Sequence, residues 1–182
     1  GLGDVYKRQV RSISTKELMK NISFVFQNTT LFKDSIYNNV AIGRKGASRD
    51  DVKKALSLTQ CDDIIDELPD GINTVIGSEG TYLSGGQQQR ISLPRAVLKD
   101  APIIILDEAT ALADPENEYL IQKAISEITK DKTVIMIAHR LSSVKNVDKI
   151  YVVENGRIVE EGNHHTLIDS GGIYSRMWDE FN

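Results

Sequence analysis

The chain holds one cysteine, four prolines, one tryptophan and no long apolar run among its 182 residues. The lone Cys61 excludes an internal disulfide and fits a reducing compartment. Asp62 and Asp63 beside it disfavour a thiolate, so it reads as a buried or inert thiol. The longest apolar stretches, Ile103 to Leu106 and Val134 to Ala138, are strand-sized, against the ~18 residues a bilayer span needs. A basic excess is missing too. Lys and Arg total 22 against 26 Asp and Glu, a net charge of −4, which argues against non-specific nucleic-acid binding. The rest is ordinary: 40% hydrophobic and 26% charged residues suit one well-cored globular domain or a core with a small lobe.

One further absence matters more. No glycine-rich loop ending in Lys-Ser or Lys-Thr occurs, although TYLSGGQQQR, residues 81–90, has the makings of an anion site. Ser84 precedes two glycines and a polar helix-forming run, the pattern of a helix start whose first N–H groups are free to hold an anion.

The periodicities predict a mixed α/β chain. Ser14 and Glu17 make a capping box for a short helix ending near Lys20, and Ile22 to Phe26 alternates as a strand with Gln27 at its end. From residue 28 to 99 the pattern is helical or loop-like: Ser48 and Asp51 cap a helix to about Leu58, residues 62–68 make another, and Pro69 to Gly71 is a turn. Strands return at 103–108, 133–139, 149–154 and 157–162, the last two joined by the hairpin signal Asn155-Gly156. Pro115 to Lys130 is an amphipathic helix with Leu120, Ile121, Ala124, Ile125 and Ile128 on one face, and residues 172–182 form a terminal helix. Strand–helix–strand with continuous apolar strands implies a parallel sheet, into which 28–99 is inserted as a helical lobe.

Ligands bind at the carboxyl ends of such strands, where Gln27, Asp107, Glu108 and His139 all fall. Asp107 can hold Mg²⁺ through water and Glu108 can orient or deprotonate a nucleophilic water. Singly, the acidic pair equally reads as a turn entry, His139 as a core histidine and Gln27 as a polar strand end. The neighbours His164 and His165 read as a solvent-exposed loop pair, since two adjacent residues do not easily face one ion.

Together these residues resemble the nucleotide-binding domain of an exporter-type ABC transporter. Leu83-Ser84-Gly85-Gly86-Gln87 with Gln89-Arg90 is similar to the family signature, Gln27 to the Q-loop, Ile103 to Glu108 to Walker B, Asp114 to the D-loop and His139 to the switch histidine. The resemblance implies a P-loop NTPase (ABC ATPase) core, incomplete at the N-terminus, with a helical signature subdomain at 28–99, a Walker B and switch core at 100–162 and C-terminal helices at 163–182. It implies ATP and Mg²⁺ as cofactors, with Glu108, His139 and Gln27 catalytic, and Asp107 and Gln27 near the metal. Ser84, Gly85, Gly86 and Gln87 would close over ATP held by a second ABC ATPase domain in a head-to-tail dimer, with Asp114 linking the two sites. A transmembrane domain fused upstream would be the other partner, nucleic acid would not be one, and the domain would work at the cytoplasmic face of the membrane. Leu31, Phe32 and Tyr37 are candidates for receiving that membrane part, or equally for packing the lobe itself.

The chain departs from the family at three places. The Walker A loop would lie upstream of Val10, where the string DVYKRQ, residues 4–9, resembles a translated sequencing-library adapter; residues 1–9 are therefore expected to be foreign and 10–182 a partial domain. Pro94 stands where the family has alanine, inside the helix that the signature opens, and should kink or break it. Ala111 to Asp114 and Ser78 differ mildly from the exporter pattern. Without Walker A the chain alone is expected to be inactive and its sheet to expose apolar surface. The other readings are a soluble ABC ATPase acting on DNA or ribosomes, and a non-catalytic fragment that only binds a partner; the compact lobe and acidic charge favour transport.

Overall fold

Four apolar residues in register put two strands side by side. In the computed structural model, which describes residues 12–26, 30–77, 80–107, 115–138 and 141–181, strand β1 (Ile22–Val25) pairs in parallel with β4 (Ile103–Asp107). Ile22 faces Ile103 and Val25 faces Leu106, so the two strands end together. β5 (Thr133–Ile137) lies on the other side of β4, which makes β4 the central strand of the three. Between β4 and β5 runs α7 (Pro115–Thr129), where Ile121, Ala124, Ile125 and Ile128 of the expected stripe are buried and Leu120 is half-buried. The chain divides into two compact units, Gly1–Ile135 and Met136–Asn182.

The first unit opens with α1 (Thr15–Lys20). Ser14 caps it by accepting the Glu17 amide at 3.2 Å, but Glu17 turns its carboxylate to Lys20 rather than back to the cap, so only half of the expected capping box forms.

The lobe contains α2 (Ile36–Ala41), α3 (Arg49–Leu58), α4 (Asp62–Glu67), α5 (Gly85–Ser92) and α6 (Pro94–Lys99). They pack around Ile36, Val52, Leu56, Ile64, Ile76 and Ile91. Ser48 and Asp51 make the full capping box of α3. The bonds from the Ser48 backbone and hydroxyl, then the Arg44 guanidinium, hold the Asp51 carboxyl down at about 2. The lobe also holds a two-residue antiparallel ladder of β2 (Asp34–Ser35) and β3 (Val75–Ile76), too short to leave a period-two signal in the sequence. Cys61 is buried, and desolvation pushes its thiol up to about 12. The expected inert thiol is there, with burial rather than the neighbouring aspartates as the main reason.

The second unit is a hairpin of β6 (Ile150–Glu154) and β7 (Arg157–Gly162) packed by α8 (His164–Asp169) and α9 (Ile173–Phe181). Asn155 and Gly156 both take positive φ, 50° and 76°, as a tight hairpin turn requires. The His pair is not on a loop. Both histidines lie in the first turn of α8, and His164 is buried with its Nδ1 2.9 Å from the Tyr174 hydroxyl, while His165 is exposed. Asn163 caps this helix, and Leu167, one turn on from His164, packs into the core with Ile150, Val152 and Tyr174.

Phe26 beyond β1 and Ile135 on β5 are exposed, and Phe24 stacks on Phe26 at 5.5 Å.

Candidate functional site

The signature segment starts a helix because Ser84 supplies an acceptor where the backbone has none. Its Oγ accepts the Gln87 amide at 3.2 Å, and the Gln87 Oε1 accepts the Ser84 amide at 2.9 Å, a reciprocal capping box. Two consequences follow. The Gly85 and Gly86 amides, in the first turn, have no acceptor within the helix. The Ser84 hydroxyl, having accepted, still has its proton to donate. The start of α5 can therefore offer an anion an O–H, the amide of Gly85 and the positive end of the helix dipole.

The two glycines do different work. Gly85 is exposed, whereas Gly86 is buried against α7, where a Cβ would lie 2.7 Å from that of Asn117. The resemblance has both glycines close over a phosphate; Gly86 in addition meets α7 closely, a contact for which the motif itself carries no signal.

Arg90 and Arg95 hold this helix in the lobe. Arg90 is buried and its guanidinium grips Asp63 of α4 and the Gln60 carbonyl. Pro94 does break the helix, as expected, and the break is absorbed locally. The Leu93 amide donates to the Arg90 carbonyl at 3.2 Å, Ser92 Oγ donates to the Gln89 carbonyl at 2.7 Å, and Pro94 begins α6 at a position where no amide is needed. Arg95 then reaches back to Asn39 and Thr30. Burial lowers its pKa from the ordinary arginine value.

In front of α5 a cleft of about 400 Å³ is lined by Thr30, Leu31, Gly77, Thr81, Tyr82, Leu83 and Gln88. Tyr82 stands 87% exposed at its edge. Of the three residues expected to receive a partner or pack the lobe, Leu31 and Tyr37 are half-buried against the lobe core, and Phe32 is exposed. Tyr37 also donates its hydroxyl to the Ala47 carbonyl at 3.0 Å.

Asp107 is half-buried at the carboxyl end of β4, level with the end of β1. Gln27 follows β1 by two residues, Glu108 follows Asp107 directly, and His139 follows β5 by two. Gln27, Glu108, Asp114 and His139 themselves lie outside the described residues. Asp107 thus ends the central strand of the three, while Ser84, Gly85, Gly86 and Gln87 stand at the start of α5. Among the described residues no cluster of His, Cys, Asp and Glu could hold a metal by itself, and no helix is long and apolar enough to cross a membrane.

A family profile described as ABC transporter matches residues 3–111. An ATP-dependent lipid A-core flippase of Legionella pneumophila (strain Paris) is 48% identical over 169 residues, covering 93% of this chain and 29% of that protein. A mycobactin import ATP-binding/permease protein of Mycolicibacterium thermoresistibile is 43% identical over 172 residues, 94% of this chain and 19% of that protein. Among solved structures, a bacterial Atm1-family ABC exporter with ATP bound is similar at a TM-score of 0.85 and 37% identity, over 94% of this chain and 30% of that one. The chain spans less than a third of the length of these relatives.

Proposed function

The chain belongs to the ABC transporter family, and we propose that it is most of the ATPase motor domain of a membrane exporter, working at the cytoplasmic face beneath a fused transmembrane part. The likeness to a flippase and to an exporter favours transport over a role on DNA or ribosomes. The observation that carries the proposal is the start of α5, where the capped Ser84 and the exposed Gly85 make an anion cradle. In this reading Ser84, Gly85, Gly86 and Gln87 close over the γ-phosphate of ATP held by a second ATPase domain, head to tail.

Asp107 fits the metal of such a site. It is a half-buried oxygen donor at a strand end, suited to a hard cation held through water, and Gln27 would be the second residue near that metal. Mg²⁺ would neutralise charge on the β- and γ-phosphates. Glu108 orients the attacking water and accepts its proton as the new bond to phosphorus forms and the bond to the β-phosphate oxygen breaks. His139 contacts the γ-phosphate and the water, and Asp114 ties one site to the other. The organisation follows: 28–99 as signature lobe, 100–162 as core, 163–182 as C-terminal helices.

The test is Glu108→Gln in the intact protein. ATP binding is retained, turnover falls by about 10²–10³-fold and the closed dimer accumulates. Unchanged turnover contradicts the assignment.

A further inference from the structure

Arg95 is not in the signature, and its guanidinium is directed to one place. Its Nε donates to the Asn39 carbonyl at 2.8 Å, one terminal nitrogen to the Thr30 carbonyl at 2.9 Å, and the other to Asn39 Oδ1 at 3.1 Å. Asn39 is fully buried and completes the knot. Its Oδ1 accepts the Phe32 amide at 2.8 Å, and its Nδ2 donates to the carbonyls of Phe32, Asp34 and Ser35 at 2.9, 3.2 and 3.1 Å. One arginine and one asparagine thus fix the backbone from Thr30 to Ser35. Nor can the base of Arg95 drift, because Gly43 at the end of α2 presses on it, where a Cβ would lie 2.8 Å from the Arg95 Cα.

The position in the chain gives this knot its meaning. Thr30 is three residues past Gln27, and three peptide units reach at most roughly 11 Å. Arg95 is the second residue of α6, which follows α5 after Leu93 alone. The fork therefore spans from the segment leaving Gln27 to the helix pair that presents Ser84. We infer that Arg95 and Asn39 are positioning residues for ATP hydrolysis: they hold residues 30–35, the segment that follows Gln27 in the chain, in one place relative to the signature helix. The inference rests on the proposed ATPase function. A lysine cannot replace Arg95, because a point charge cannot serve three acceptors in a fixed fork.

The test compares Arg95→Lys and Asn39→Ser with the wild type in the intact protein, reading kcat, ATP KM, the Mg²⁺ concentration for half-maximal turnover, melting temperature and amide hydrogen exchange over residues 30–36. The expected result is a kcat lower by about tenfold or more, since a misplacement of about 1 Å far from the chemistry can cost 10²-fold. The Mg²⁺ requirement rises, ATP KM holds and exchange over 30–36 quickens. A kcat loss that merely follows the folded fraction, with the Mg²⁺ requirement unmoved, overturns the inference, as does failure of both variants to fold. If the wild type itself hydrolyses no ATP, the proposed function falls instead. Exchange over 30–36 then decides the knot alone: quickening in both variants supports it and unchanged exchange overturns it.

Discussion

Arg90 and Asp63 meet as a two-pronged pair, with one guanidinium nitrogen 2.8 Å from Oδ1 and the other 2.9 Å from Oδ2. The arginine side chain is 3% exposed and the aspartate side chain 54%, so the cation is buried while its partner faces water. The first nitrogen also donates to the carbonyl of Gln60, a residue in left-handed conformation at φ 58°, at 2.6 Å. The helix that begins with the anion cradle is thereby anchored to the turn before α4.

Removing the two partners should not be equivalent. Arg90→Ala leaves a void and two orphaned acceptors, and should lower the unfolding free energy by about 3 kcal/mol. Asp63→Asn removes the counter-charge but leaves the guanidinium bonded to the Gln60 carbonyl and to one amide oxygen, and should lower it by about 1–2 kcal/mol. Urea midpoints measure both. Equal losses would contradict the asymmetry.

The paired glycines should separate in the same way. Gly86→Ala drives a Cβ into Asn117 and should destabilise by about 1–3 kcal/mol. Gly85→Ala adds a methyl group on the solvent side of a helix and should stabilise by about 0.5–1 kcal/mol, while ATP turnover of the intact protein falls. A Gly85→Ala protein that is both more stable and fully active would show that this glycine has no phosphate to approach.

Pro94→Ala should join α5 and α6 into one helix. The Arg90 carbonyl would then regain an amide four residues on, replacing the present bond from Leu93. Because Leu93 and Ser92 already meet the carbonyls that the proline leaves, the gain should be about 1 kcal/mol rather than the full penalty of about 3. A lower melting temperature would mean that the lobe is built around the break.

The second unit should weaken in mild acid. Burial, then His165 and Lys145, lower the His164 pKa from 6.5. The unfolded chain therefore binds the proton more tightly than the folded one. Stability is full above about 6.5 and is lost as pH falls from there through the folded value. Glu160, which accepts the Ile173 and Tyr174 amides at the start of α9, has a lowered pKa of its own and adds a second loss below 4.5. Trp178, with its ring 4.5 Å from that of His164, reports the transition by fluorescence. His164→Phe should flatten the profile between about pH 7 and pH 5; an unchanged slope would place the titration elsewhere.

What the sequence made legible was periodicity and spacing. The stripe of α7 predicted its buried face, Asn155-Gly156 predicted the β6–β7 turn, and Ser84 followed by a polar run predicted the helix start. The missed features have no local signature. β2 and β3 are two residues each, and His164 looked like a surface residue because the Tyr174 that receives it is ten positions away. The bonds of Arg95 to Asn39 span 56 residues, and the contact that excludes a side chain at Gly86 comes from Asn117. Spacing within a motif carries no record of a partner so distant.

The most direct test of the account is Ser84→Asp in the intact protein, with melting and ATP turnover measured together. Aspartate caps a helix as well as serine does, so α5 should stay formed and the melting temperature nearly unchanged. It has no hydroxyl proton to give a phosphate and brings a negative charge to the cradle. The account predicts turnover lower by about 10²-fold or more. Wild-type turnover in a protein of wild-type stability would mean that Ser84 only caps its own helix, and that the start of α5 does not receive the phosphate.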